Sequence, residues 1–125
     1  MPNSAQFSQD IVDAFNSAKI LGVRSGSEHK YTGVWVVVVK GRVYARSWND
    51  KPTGWFRAFK QKPEGQVQVG ALELPVRVRF PRSASVLGAV TNAYAQKYNT
   101  KASLKWVEGF AEPARQLATV EFVPL

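Results

Sequence analysis

The sequence predicts a mainly β protein, a small antiparallel barrel of about six strands with flanking helices. Three observations carry that reading. Two pairs of strand-like segments are each joined by a two-residue turn, Lys40-Gly41 and Gly70-Ala71. The segment 31–39 has no polar position from Trp35 to Val39, so both of its faces must be covered. A last strand-like run, 118–123, would close the sheet. The chain has 125 residues, 45% of them apolar, and one domain spanning 1–125 with a real core is expected.

The elements follow in order. A first helix is expected within 1–17, with Ser8 as its cap and Phe7, Ile11, Ala14, Phe15 and Ala18 as one apolar stripe. Residues 20–23 read as a short strand, and Arg24-Ser25-Gly26-Ser27-Glu28 as a polar turn. Strand 31–39 is β-branched and aromatic, and its outer cover could be a helix or a partner subunit. After the turn at Lys40-Gly41, where Gly41 can take positive φ, the return strand 42–47 alternates. Val43 and Ala45 share one face; Arg42, Tyr44 and Arg46 share the other, with the Cα atoms of Tyr44 and Arg46 about 7 Å apart.

Residues 48–53 form a loop, and 54–62 a short helix stopped by Pro63. The segments 65–69 and 72–80 make the second hairpin, and Pro75 places its second strand at an edge or a bulge. Ser83 caps a helix over 83–98 with Val86, Val90, Ala93 and Tyr94 buried. The segment 99–117 is ambiguous.

Composition excludes several functions. There is no cysteine, hence no disulfide or zinc–thiolate site, and a lone His29 makes neither a triad nor a metal site. Neither a G-x-G-x-x-G nor a P-loop motif is present. The longest apolar run, 34–39, is far short of the roughly 20 residues of a membrane-spanning helix. With no signal-like segment, a cytoplasmic protein is expected. The net charge of +8 sits wholly between Lys19 and Lys62, where ten basic residues face two acidic ones. Such a segment attracts a phosphate, a nucleotide or another anion, or else forms a solvated face.

Arg24-Ser25-Gly26, then 32–39 (TGVWVVVV), a turn, 43–47 (VYARS), a polar loop and Trp55-Phe56-Arg57 resemble the FMN-binding split-barrel superfamily. That group includes pyridoxamine-phosphate-oxidase-like proteins and deazaflavin-dependent nitroreductases. The likeness is strongest to a branch of small bacterial proteins with a W-V-V-V … V-Y-x-R-S … W pattern. Residues 93–98 (AYAQKY) are similar to that branch's A-Y-x-x-K-Y helix, and 118–124 (ATVEFVP) to its closing strand. The order and spacing of these pieces across 18–125 carry the resemblance.

The resemblance implies a six-stranded split barrel, a homodimer, and FMN or a deazaflavin at the subunit interface with its ring along 31–36. By position, Arg46, Ser47 and Lys51 match the phosphate-binding stretch. Arg24, Ser25 and Gly26 match a turn that meets the cofactor in deazaflavin-using relatives, and Trp55 matches an aromatic residue beside the site. The residue chemistry agrees. Arg46 could bind a phosphate through two parallel hydrogen bonds, Ser47 adds a hydroxyl and Lys51 a mobile charge. Trp35, Trp48 or Trp55 could stack on the ring. A flavin-type oxidoreductase acting on a small organic substrate follows, with no catalytic side chain of its own.

Each residue also has a plainer role. Arg42 and Arg46 could lie on a solvated barrel face, Trp35 in a core or dimer interface, and Ser25 in turn chemistry. Two other functions compete with the enzyme. One is a cofactor-free barrel that binds a small ligand or serves a structural role. The other is a basic barrel that stacks single-stranded nucleic acid on its aromatics. Against the latter, the aromatics fall in apolar runs and no RNA-binding signature is present.

Overall fold

The structure is a computed structural model and describes residues 6–48, 51 and 53–125. Residues 1–5 of the first-helix segment, and Asn49, Asp50 and Pro52 of the polar loop, lie outside the described residues. The chain runs α1 (Gln9–Ser17), β1 (Ile20–Ser25), β2 (Thr32–Val39), β3 (Arg42–Arg46) and α2 (Trp55–Gln61). It continues with β4 (Glu64–Val69), β5 (Leu72–Arg79), α3 (Ala84–Lys97), α4 (Leu104–Phe110), α5 (Pro113–Gln116) and β6 (Thr119–Pro124). The strands close into a barrel in the order β1-β2-β3-β6-β5-β4, every pair antiparallel. The expected six-stranded antiparallel barrel with flanking helices is the fold.

Alternation along the strands builds two apolar layers. Val34 and Val36 of β2 and Val43 and Ala45 of β3 point into the barrel, where they meet Val67, Val76, Val120 and Phe122. Phe15 of α1 and Phe56 and Phe59 of α2 join that cluster. Outside the barrel, Val37 and Tyr44 pack with Val90, Tyr94 and Tyr98 and with Val107 and Phe110 of α4. The unbroken apolar run in β2 therefore has its cause within the chain: the outer cover is α3 and α4.

Both hairpin turns are where the sequence puts them. Lys40 and Gly41 both take positive φ, 51° and 77°, which matches the twist of the flanking strands. Two expectations are corrected. β1 runs on to Ser25, so Arg24 and Ser25 lie in a strand paired with Gln66 and Gly65 of β4. Ser8 holds the N-cap position, but its side chain makes no capping bond. Pro75 lies at a local edge of β5, as expected. It pairs with Gln66 and sits where the β5–β6 ladder ends, its carbonyl accepting from Leu125 N–H. The ambiguous 99–117 segment contains α4 and α5.

Candidate functional site

The barrel wall is split between β2 and β3. Their ladder ends at Val36–Ala45, although the next residues, Trp35 and Arg46, remain paired to β1 and β6 on their other sides. The fully buried Tyr94 of α3 stands in the gap. Its hydroxyl accepts from Arg46 N–H at 2.9 Å and donates to the Trp35 carbonyl at 2.8 Å, the two groups that would otherwise bond each other.

One turn further along α3, Tyr98 does the same on the other side of β2. Its hydroxyl accepts from Val36 N–H at 3.0 Å and lies 2.6 Å from the Lys19 carbonyl. Lys97 Nζ donates to the carbonyls of Val36 at 2.8 Å and Phe15 at 3.2 Å. The Tyr94, Lys97 and Tyr98 side chains thus all bind backbone on or beside β2.

From the split opens a cavity of about 580 Å³, inside the usual range for small-molecule sites. The chain has four tryptophans, and Trp35, Trp48, Trp55 and Trp106 all line this cavity. Phe110 adds to the aromatic wall, and Arg46, Ser47, Lys51 and Thr53 supply polar lining. Thr32, Gly33 and Val34 line the β2 side together with Trp35. Trp48 is fixed by its surroundings. The Arg115 guanidinium lies 3.7 Å over its ring and Arg115 Nε donates to its carbonyl at 2.7 Å. Trp106 and Phe110 pack edge-on at 4.9 and 5.3 Å.

Of the eight residues singled out in the sequence, Arg46, Ser47, Trp48, Lys51 and Trp55 converge on this cavity. Arg24 and Ser25 line a smaller hollow of about 210 Å³ that shares Thr32, Thr53, Gly54 and Trp55 with it. Gly26 lies away from both hollows, in a turn at φ 64° that bonds the Glu64 carbonyl. The side chains of Arg24 and Ser25 are committed to the fold. Arg24 bonds Gln66 and the His29 carbonyl and stacks over Tyr31 at 4.3 Å. Ser25 Oγ lies 2.7 Å from the Lys62 carbonyl at the end of α2.

Arg46 is more deeply committed still. It is 1% exposed. Its Nε donates to Thr119 at 2.8 Å, its Nη1 to Thr91 and the Phe110 carbonyl, both at 2.8 Å, and its Nη2 to the Leu87 carbonyl at 3.1 Å. Four of five N–H groups are spent inside the protein, so the two-pronged phosphate contact expected of it has no free fork. No carboxylate pairs with it among the described residues. Burial lowers its pKa from the usual arginine range.

Sequence reasoning missed Trp106 and Phe110, which sit in the ambiguous segment, and Thr53 and Gly54, which contribute where the chain passes close, whereas Thr32 and Gly33 fall in the 31–36 stretch that the resemblance set beside the ring. The available signal was Trp106 itself, a large aromatic in a stretch with no strand pattern.

The α3 groups give the fold a signed pH response. Burial among carbonyls lowers Lys97 from 10.5 to about 8. Between those values the unfolded chain binds more protons, so stability rises with pH. Burial raises Tyr98 to about 12, and Tyr94 shifts upward too. Above about pH 10 the folded state holds more protons, and stability falls. A melting-temperature series is therefore expected to rise from pH 8 and turn over above about pH 10. Lys97→Met should flatten the rising limb and leave the falling one.

A closed six-stranded barrel opened between two strands, with an aromatic cleft at the opening, defines a split-barrel protein. The chain belongs to a family described as an uncharacterized protein conserved in bacteria (DUF2255), whose model matches residues 11–122. Its backbone is similar to the crystal structure of the conserved hypothetical protein Rv2991 from Mycobacterium tuberculosis. That match has a TM-score of 0.62 and 13% identity, covering 100% of this chain and 84% of the other. It is also similar to an F420-H2 dependent reductase, FDR-A, with a TM-score of 0.60 and 18% identity, covering 84% of this chain and 93% of that one. At these identities the shared property is the fold. No curated protein sequence matches.

Proposed function

We propose that the chain is an oxidoreductase that binds FMN or a deazaflavin in the split between β2 and β3 and acts on a small organic substrate. The observation that carries this is the gathering of all four tryptophans around one cavity with hydroxyl and ammonium groups in its lining. The fold shared with an F420-H2 dependent reductase supports it.

The cavity's chemistry fits such a ligand. Flat aromatic walls suit a flat apolar ring. Trp35 turns its carbonyl toward the split, and by strand alternation Gly33 turns its N–H and C=O the same way. Those groups suit the polar edge of the ring. Ser47, Thr53 and the exposed Lys51 suit a phosphate, with Lys51 acting as a mobile point charge. The cofactor, when bound, supplies hydride or electron transfer. The chain's own residues do the rest. Trp48 and Trp106 wall off water, the β2 edge orients the ring, and the buried Arg46 places positive charge in the wall, favouring an anionic guest. A homodimer belongs to the same reading, and sedimentation as a 13.9 kDa monomer would remove that part.

Titration of the purified protein with FMN, and separately with a deazaflavin, tests the proposal. Because every tryptophan borders the cavity, micromolar ligand is expected to quench most of the intrinsic emission, roughly half or more. Unchanged emission with both ligands would reject it.

A further inference from the structure

We propose that Tyr94 is a positioning residue whose hydroxyl is the spacer that keeps β2 and β3 apart and so creates the ligand-facing edge of the cleft. This rests on the cleft being a ligand site.

The register makes the case. Val36–Ala45 is the last rung of the β2–β3 ladder, and the next rung would join Trp35 and Arg46. In an antiparallel pair of that phase the two residues exchange both N–H···O bonds. Here the Arg46 N–H and the Trp35 carbonyl each bond the Tyr94 hydroxyl instead. The interposed oxygen forces the strands to diverge. The N–H of Trp35, on the same side of its strand as its carbonyl, is thereby directed into the cleft, as are the peptide groups of Gly33 two residues earlier.

Tyr98 is an internal control. It makes the equivalent bridge between Val36 and Lys19 from the same helix, on the side of β2 away from the cavity. Both tyrosines are buried, so loss of either hydroxyl disturbs a similar environment.

Tyr94→Phe removes the bridging oxygen and leaves the Arg46 N–H and the Trp35 carbonyl to find each other, closing the inner end of the cleft. The expected results are a loss of FMN or deazaflavin affinity of at least about tenfold and slowed hydrogen exchange at the Trp35 amide, which gains the Arg46 carbonyl as partner. Tyr98→Phe is expected to lower stability but leave affinity within about twofold. Equal affinity loss in both variants, or an unchanged Trp35 amide in Tyr94→Phe, would overturn the assignment. The exchange readout needs no ligand. If the wild type binds neither cofactor, the functional reading fails while the spacer is still judged by the Trp35 amide. Should Tyr94→Phe not fold, the wild type carries its own test. A slowly exchanging Tyr94 hydroxyl proton with a nuclear Overhauser contact to the Arg46 amide is expected, and its absence would overturn the spacer.

Discussion

Replacing Arg46 by methionine is expected to destabilise the fold by about 3 kcal/mol, a fall of about 10 °C in melting temperature. The side chain ties together four elements through one polar group. From β3 it reaches Thr119 of β6, Leu87 and Thr91 of α3 and Phe110 of α4. Methionine fills much of the volume but donates nothing, and the Phe110 carbonyl loses its donor in the interior. The threonines suffer less, since the Thr91 hydroxyl still donates to Leu87 and that of Thr119 to Gln116.

Two effects oppose each other. Removing an unpaired buried charge relieves desolvation, and removing its hydrogen bonds leaves carbonyls stranded. Lysine separates them. It keeps the charge but has three donors on one nitrogen, which cannot span acceptors on three elements. Arg46→Lys should therefore be no more stable than Arg46→Met. Thermal melts of the two variants decide the point. If Arg46→Lys instead melts like the wild type and only binds cofactor less tightly, Arg46 is a phosphate ligand and not an internal tie.

Arg46 also shows how far the sequence could be read. The alternation of 42–47 places Tyr44 and Arg46 on one face, opposite Val43 and Ala45, and that is where they lie. Alternation says nothing about what covers a face. The groups that bury Arg46 come from positions 41 to 73 residues later in the chain, and nothing local encodes them. The error at Arg24–Ser25 has the same origin. A polar stretch before a glycine reads as a turn, but its partners, Gln66 and Gly65, hold it as strand from across the barrel. Tyr94 was legible as a buried residue because helical periodicity reports burial. Its hydroxyl was not, because both partners are backbone atoms 48 and 59 residues away. Five of the eight site residues converge because they come from one contiguous strand–loop–helix segment, where short-range order is enough to bring them together.

Gly109→Ala is expected to disable the cleft from behind its wall. In an exposed helix this change gains about 1 kcal/mol of propensity. Here the new Cβ would stand 2.3 Å from Cη2 and 2.7 Å from Cζ3 of Trp48, closer than carbon atoms can approach. A ring tip can often swing aside at little cost. This one has Arg115 stacked on its face and Trp106 and Phe110 against its edges, so it moves only by disturbing all three or by shifting into the cavity it lines. Overpacking of that kind costs about 1–3 kcal/mol and outweighs the propensity gain. Gly109→Ala should therefore melt below the wild type by about 5 °C and lose at least about tenfold in FMN or deazaflavin affinity. Trp48→Phe in the same chain removes the atoms in conflict. The double variant should regain most of the stability that Gly109→Ala loses relative to Trp48→Phe alone, because the two positions are directly coupled. A Gly109→Ala protein as stable as the wild type and unchanged in tryptophan emission would mean that Trp48 is not pinned where it stands.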